Sequence, residues 1–259
     1  MRNNGITILT LFGGRWHTLA PFLHGLQNLD WPVRNLNLLW YTNAGEPFPE
    51  CLRWHERFLR RKGYRLRLIH DKTIPAAARV FHEGDQRTEE HLNTIAVLYN
   101  AAWQYAQADD VLVLEDDVLI PSHGLKRLTA AMNEHPKAAI VASCVFDRHN
   151  PGVVFVWDVV KEFAPGSPKP VYHLTQAGQP WGVRRVSAGG LSCTLIRRSR
   201  LPVLFEKQCP FRVRHSIEGK EHIGGCDLSL CLEAEEYGGE TYADFAVRPL
   251  HIDSRARIH

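Results

Sequence analysis

Glu115, Asp116 and Asp117 are three adjacent carboxylates set between two apolar runs, Val111 to Leu114 and Val118 to Ile120. Charges of one sign this close repel unless something positive holds them. In an extended backbone alternate side chains point to opposite sides, so Glu115 and Asp117 share one side and Asp116 takes the other. Carboxylate oxygens select a hard cation such as Mg²⁺ or Mn²⁺, which can also grip a diphosphate. The competing reading is a solvated acidic turn that happens to follow a strand.

The elements around this motif must place it. Ile6 to Phe12 reads as a buried strand that opens into Gly13-Gly14, followed by a helix over Thr18 to Leu29. Leu36 to Tyr41 is a second strand, Cys51 to Lys62 a helix very basic on one side, and Tyr64 to Ile69 a third strand. Thr88 to Ala106 is the longest helix, with Thr88 as its cap, Glu89 and Glu90 at its positive end, and one apolar stripe. Val111 to Leu114 is apolar on both faces. Helices alternating with such strands predict an α/β fold with a mainly parallel sheet covered on both sides. Ligands bind at the carboxyl ends of strands in open sheets of this kind, where the three acids stand.

The second half reads differently. Pro and Gly crowd residues 150 to 182 and predict long loops around a short strand, Val153 to Trp157, and Asp227 to Tyr237 reads as a helix ended by Gly238-Gly239. Trp181 offers either a surface on which a sugar ring or base stacks, or a core aromatic. Arg212, Arg214, His215, Lys220 and His222 form a basic run before Asp227. It could close over a diphosphate, although a solvated basic face is the preferred reading.

The stretch Ala108 to Val118 resembles the segment that carries the DxD motif of GT-A glycosyltransferases, especially the family 2 type, where it also follows a helix. The resemblance implies that Asp117 binds the metal and that Glu115 or Asp116 contacts the ribose of a nucleotide sugar. Glu115 stands where many relatives carry Asp. Ile6 to Leu11 with Gly13-Gly14-Arg15 is similar to the first strand and donor loop of that family, which implies that Leu11, Gly14 and Arg15 border the donor and Asn43 the base. Each of these segments alone reads equally as a tight turn after a strand. Ala188 to Ser199 looks like the acceptor-side segment, with Gly189 and Gly190 allowing close approach of a sugar. His251 sits where such enzymes supply a late histidine to the metal, a ligand that favours Mn²⁺ over Mg²⁺. Asp227 matches the acidic position of the catalytic base, with the helix N-cap as its alternative. Because glycines replace the usual acidic pair just before it, a retaining course stays open beside the favoured inverting one.

The whole-chain properties fit. At 259 residues, 44% hydrophobic and 23% charged, the chain can bury a sizeable core and is no disordered segment. It is expected to form one catalytic domain, residues 1–121 serving the nucleotide sugar and 122–259 the acceptor. A net charge of +3, from 31 basic and 28 acidic residues, does not by itself predict nucleic-acid binding. Six scattered cysteines without a CxxC pair, no signal-peptide core and no apolar run of about 18 residues point to a cytoplasmic protein without a membrane span. The expected activity is transfer of a sugar from a UDP- or GDP-sugar to a hydroxyl. Two rivals compete with it. A sugar-nucleotide nucleotidyltransferase shares a glycine-rich opening, but Trp16 and His17 replace its small residues. A non-catalytic nucleic-acid-binding protein would use the pairs Arg60-Arg61, Arg184-Arg185, Arg197-Arg198 and Arg255 with Arg257. The same pairs suggest an anionic acceptor, such as modified DNA.

Overall fold

The structure is a computed structural model that describes residues 5–74, 89–147, 153–163, 170–176, 181–206, 209–215 and 222–252. The first half runs β1 (Ile6–Phe12), α1 (Trp16–Gln27), β2 (Leu36–Thr42), α2 (Phe48–Arg61), β3 (Arg65–His70), α3 (Glu89–Trp103), β4 (Asp110–Leu114) and β5 (Val118–Leu119). It continues through α4 (Gly124–Glu134), β6 (Ala138–Ser143), β7 (Val156–Phe163), β8 (Pro170–Gln176), β9 (Val183–Val186), β10 (Ala188–Gly189) and β11 (Cys193–Arg197). The last elements are α5 (Pro202–Glu206), β12 (Arg214–His215), β13 (His222–Gly224), α6 (Cys226–Glu236), β14 (Glu240–Asp244) and β15 (Leu250–His251).

Eight strands form the central sheet in the order β3-β2-β1-β4-β11-β6-β14-β9. β3, β2, β1 and β4 are mutually parallel, β11 runs against its neighbours β4 and β6, β14 is parallel to β6, and β9 closes the far edge antiparallel. The period-2 alternation of a strand shows directly in β1. Ile6, Ile8 and Phe12 pack with α1, α2 and α4 on one face, while Leu9 and Leu11 pack with α3, α5 and α6 on the other. The sheet is therefore mostly parallel and covered on both sides, as expected.

A smaller β region accompanies it. Where long loops around a short strand were expected, β7 and β8 pair along their whole length, from Trp157 opposite Gln176 to Phe163 opposite Pro170. Proline is tolerated there because it is the first residue of its strand. β10 joins them as a third strand. Thr88, the expected cap of α3, lies outside the described residues, as do Pro151, Gly152, Pro165, Gly166, Pro168, Gly178 and Pro180.

One ion pair ties β4 to its antiparallel neighbour at the end opposite the acidic motif. Arg197 donates to both oxygens of Asp110, at 2.7 and 2.8 Å, and also to Asn133 at 2.9 Å. Arg197→Met leaves the largely buried Asp110 carboxylate without its planar partner. We expect a loss of about 2 kcal/mol, read as a lower urea midpoint with unchanged m-value. No change in midpoint would show that this pair does not hold the two strands.

Candidate active site

β4 delivers the three acids and then turns. The Val118 N–H donates to the Glu115 carbonyl at 3.2 Å, so the expected extended path is instead a tight turn over Glu115 to Val118. The side chains still diverge. Asp116 is fully buried and points to the loop after β1, accepting from the Gly13 N–H at 2.9 Å and from the Arg15 guanidinium. Arg15 also donates to Asp117 and so bridges the two aspartates. Burial alone would lower its pKa, but the charges of Asp116 and Asp117 outweigh it and push the guanidinium well above its ordinary value. Asp116, expected with Glu115 as a candidate for the ribose, holds the loop between β1 and α1.

Glu115 and Asp117 meet His251 instead. One ligand atom from each of these three residues lies within 4.8 Å of the other two. The chain reaches His251 only after more than a hundred residues, and backbone hydrogen bonds place it. β15 pairs antiparallel with β5, setting His251 opposite Val118, and the Ile252 N–H donates to the Asp117 carbonyl at 2.9 Å. The His251 Nδ1 lies 2.8 Å from the Phe146 carbonyl, which can only accept. Nδ1 must therefore carry the proton, and Nε2 is left with its lone pair for a metal. Upstream, the fully buried Asp244 accepts from Arg127 at 2.9 and 3.0 Å and from the Ala246 N–H at 3.0 Å, fixing the segment that leads to His251.

Two carboxylates and an imidazole fit a hard divalent cation. Metal–oxygen bonds of about 2.1 Å put adjacent ligands about 3 Å and one opposite pair about 4.2 Å apart, so atoms within 4.8 Å of one another reach a shared cation through side-chain movements of up to about 2 Å. Among the described residues Arg15 is shared by Asp116 and Asp117, and a cation beside Glu115 and Asp117 would add to the positive charge that these neighbouring acids draw in.

The remaining expected residues surround this centre unequally. Gly14 has φ of +83°, a conformation a side chain resists, and an added Cβ would also crowd Ala44. Leu11 is packed in the core, and Asn43, almost fully buried, donates to the Ile74 carbonyl at 3.3 Å. The segment expected on the acceptor side, Ala188 to Ser199, touches the motif directly, because the Glu115 N–H donates to the Ser192 carbonyl at 2.9 Å. An added Cβ at Gly189 would stand 2.4 Å from that of Ala142, and one at Gly190 would stand 3.0 Å from that of Phe155. Packing thus requires glycine at 189 and leaves little room for a side chain at 190. Phe155 in turn meets the His251 ring edge-on at 6.3 Å.

Trp181 is no core residue, being 81% exposed. The Arg248 guanidinium lies 5.6 Å from its ring and 5.8 Å from that of Phe146, the residue that orients His251. Asp227 sits one residue inside α6, whose N-cap is Gly225, and its carboxylate accepts from the Leu228 N–H at 2.9 Å. Burial pushes the Cys226 thiol well above its ordinary value, and the charges of Asp227 and Glu115 push it further. Both carboxylates therefore lie within electrostatic reach of that thiol. In the basic run, the Arg212 side chain donates to the Cys209 carbonyl, while Lys220 and the side chains of Arg214, His215 and His222 lie outside the described residues.

Most arginine clusters are used inside the fold. Arg60 pairs with Glu56, Arg184 with Asp158, Arg185 with Glu235 and Glu240, and Arg198 donates to the Ala106 carbonyl. Arg255 and Arg257 lie outside the described residues. The resemblance implied Glu115 or Asp116 at the ribose, and nothing in the sequence marks the Phe146 carbonyl, since a backbone oxygen is common to all residue types. A cleft of about 400 Å³ beside Trp103 and Arg198 belongs to the other end of β4, where Arg197 meets Asp110.

Arg15→Met should strand two buried carboxylates. Discounting for the partial exposure of Arg15, we expect a loss of about 2–3 kcal/mol without divalent cation and partial recovery with millimolar Mn²⁺. Thermal melts with EDTA and with Mn²⁺ read both effects. An unchanged melting point in EDTA would show that Arg15 is not the counter-charge. His251→Ala should weaken Mn²⁺ binding at least tenfold by calorimetry. Equal affinity would remove His251 from the metal site.

No family model matches this sequence, nor does any curated protein. Solved structures do. Residues 1–349 of S. aureus TarS in complex with UDP-GlcNAc superpose with a TM-score of 0.53 at 12% identity, over 92% of this chain and 55% of that one. The mannosyltransferase PcManGT from Pyrobaculum calidifontis, in complex with GDP-Man and Mn²⁺, gives 0.55 at 15% identity, over 91% and 53%. The chain thus spans little more than half the length of these structures. Among its described residues, no helix is long and apolar enough to cross a membrane. The similarity is one of architecture, and the chain has the GT-A glycosyltransferase fold.

Proposed function

We propose that this protein is a metal-dependent glycosyltransferase that moves a sugar from a nucleoside-diphosphate sugar to an acceptor hydroxyl. The observation that carries this reading is the grouping of Glu115, Asp117 and His251 at the carboxyl end of β4. A solvated acidic turn would need no distant histidine, and no backbone carbonyl to set its tautomer. The two structural neighbours named above hold UDP-GlcNAc, or GDP-Man with Mn²⁺, which supports a donor of that class and Mn²⁺ or Mg²⁺ as the cation.

In this reading residues 1–121 bind the donor and 122–259 the acceptor, within one domain. Glu115, Asp117 and His251 hold the cation, which when bound neutralises the diphosphate and the departing nucleoside diphosphate. Asp116 and Gly13 keep the donor loop in place. Arg15 is long enough to turn one side of its guanidinium to the diphosphate while the other stays on Asp116. Leu11, Gly14 and Asn43 shape the wall beside the base through backbone and packing. Trp181 offers its exposed face to the acceptor sugar, and Gly189 and Gly190 serve that side by letting the segment that leads to Ser192 pack against Ala142 and Phe155. Asp227 takes the proton of the acceptor hydroxyl as that oxygen attacks the anomeric carbon, giving inversion. The six cysteines stand as free thiols, which supports a cytoplasmic setting.

A thermal-shift titration with UDP, GDP, CDP and their common sugars, with and without Mn²⁺, tests the donor site. At a hundredfold excess over Kd the correct nucleotide adds about 2.7 kcal/mol, a rise of roughly 5 °C or more. Asp117→Asn should abolish the metal-dependent part of the shift. Asp227→Asn should keep the shift while lowering turnover on the order of 10²- to 10⁴-fold. A well-folded protein with no shift for any nucleotide would sink the donor-site reading.

A further inference from the structure

The outer face of α2 takes no part in the site described above, yet it is built unlike a solvated helix. Trp54 and Phe58, one turn apart, are 56% and 38% exposed, and their rings stack at 5.9 Å with planes 3° apart. The same helix buries Phe48, Leu52 and Leu59 against the sheet, so these rings are surplus to its packing. At 100° per residue, Arg57 and Arg61 follow each other up the helix directly beside the aromatic row. Both are exposed, and neither has an ion-pair or hydrogen-bond partner among the described residues. Lys62 lies 4.7 Å from the Phe58 ring and extends the basic edge. Of the acids near this face, Glu56 pairs with Arg60 and Glu46 with Arg53, and Glu50, one turn before Trp54, is the one exposed carboxylate among the described residues on it, set against Arg57, Arg61 and Lys62.

We propose that this face of α2 docks on the surface of an anionic lipid bilayer. Two apolar rings cost free energy in water and gain it at the boundary between headgroups and acyl chains, where tryptophan is at home. Arginines beside them meet lipid phosphates at that depth, so the positive row is complementary to an anionic leaflet. A single-stranded nucleic acid fits less well. The face is the convex side of one helix without a groove to track a phosphate backbone, and the rings lie on each other with no gap for a base. Binding of this kind lays the protein on the membrane and requires no spanning helix. It is also independent of the proposed catalysis, because no residue of the site takes part.

The test is co-sedimentation of the full chain with vesicles of phosphatidylcholine alone and of an equal mixture with phosphatidylglycerol. The expected result is binding to the mixed vesicles only. Arg57→Gln with Arg61→Gln should lower the partition coefficient roughly thirtyfold, from two charges lost near the surface. Trp54→Ser with Phe58→Ser should lower it at least about tenfold. All four side chains are exposed, so melting points should hold. Lys126→Gln with Lys137→Gln removes the same charge from another part of the surface and should leave binding unchanged. No binding to mixed vesicles, equal binding to neutral ones, or an equal loss in the lysine variant would overturn the proposal. So would capture of a single-stranded oligonucleotide that both α2 variants abolish while vesicles stay unbound.

Discussion

Three carboxylates at the mouth of one buried strand are an electrostatic problem that much of this molecule is arranged to meet. Asp116 is completely enclosed, and an ionised carboxylate there is tolerable only with a cation and hydrogen-bond donors beside it. Arg15 and the Gly13 N–H provide both, and in doing so they pin the loop between β1 and α1 to the end of β4. Electrostatics and loop geometry are thus one constraint. The guanidinium that offsets the charge is also the tether that holds the loop.

The surplus negative charge faces the opposite way, toward His251. That histidine is held by main-chain pairing between β5 and β15 and by the Phe146 carbonyl, so its position depends on backbone rather than on the rotamers of neighbouring side chains. Packing extends the same rigidity. Phe155 stands between His251 and Gly190, and Gly189 lies against Ala142 of β6, so the Gly189-Gly190 segment and His251 rest on one another. A change of a single methyl group in this layer would be felt at the site, because such interiors are close-packed.

The central sheet supplies the direction. Parallel strands bring the ends of β1, β2 and β4 to one edge, where the Gly13-Gly14 turn, Asn43 and the three acids are neighbours. The antiparallel β11 returns beside β4 and brings Ser192 to the Glu115 N–H. The loop after β1 and the segment before β11 therefore meet along the seam between β4 and β11.

Much of the first half was legible from residues alone, because the alternation of Ile6, Ile8, Leu9 and Leu11 and the helical stripe of Leu92, Ala96, Tyr99 and Trp103 are local patterns set by backbone geometry. The acidic triple announced itself for the same reason: adjacent charges repel in any fold. The second half was harder to read. β7 and β8 are stable through each other, so neither declares itself in isolation, and β6, half alanine and buried on both faces, shows no alternation. Tertiary structure alone decided that Arg15 faces Asp116 and Asp117, that Glu115 turns toward His251, and that a carbonyl from Phe146 chooses the imidazole tautomer. Those contacts join residues about a hundred positions apart, and their energy exists only once the sheet has closed the distance, so no window of sequence contains them.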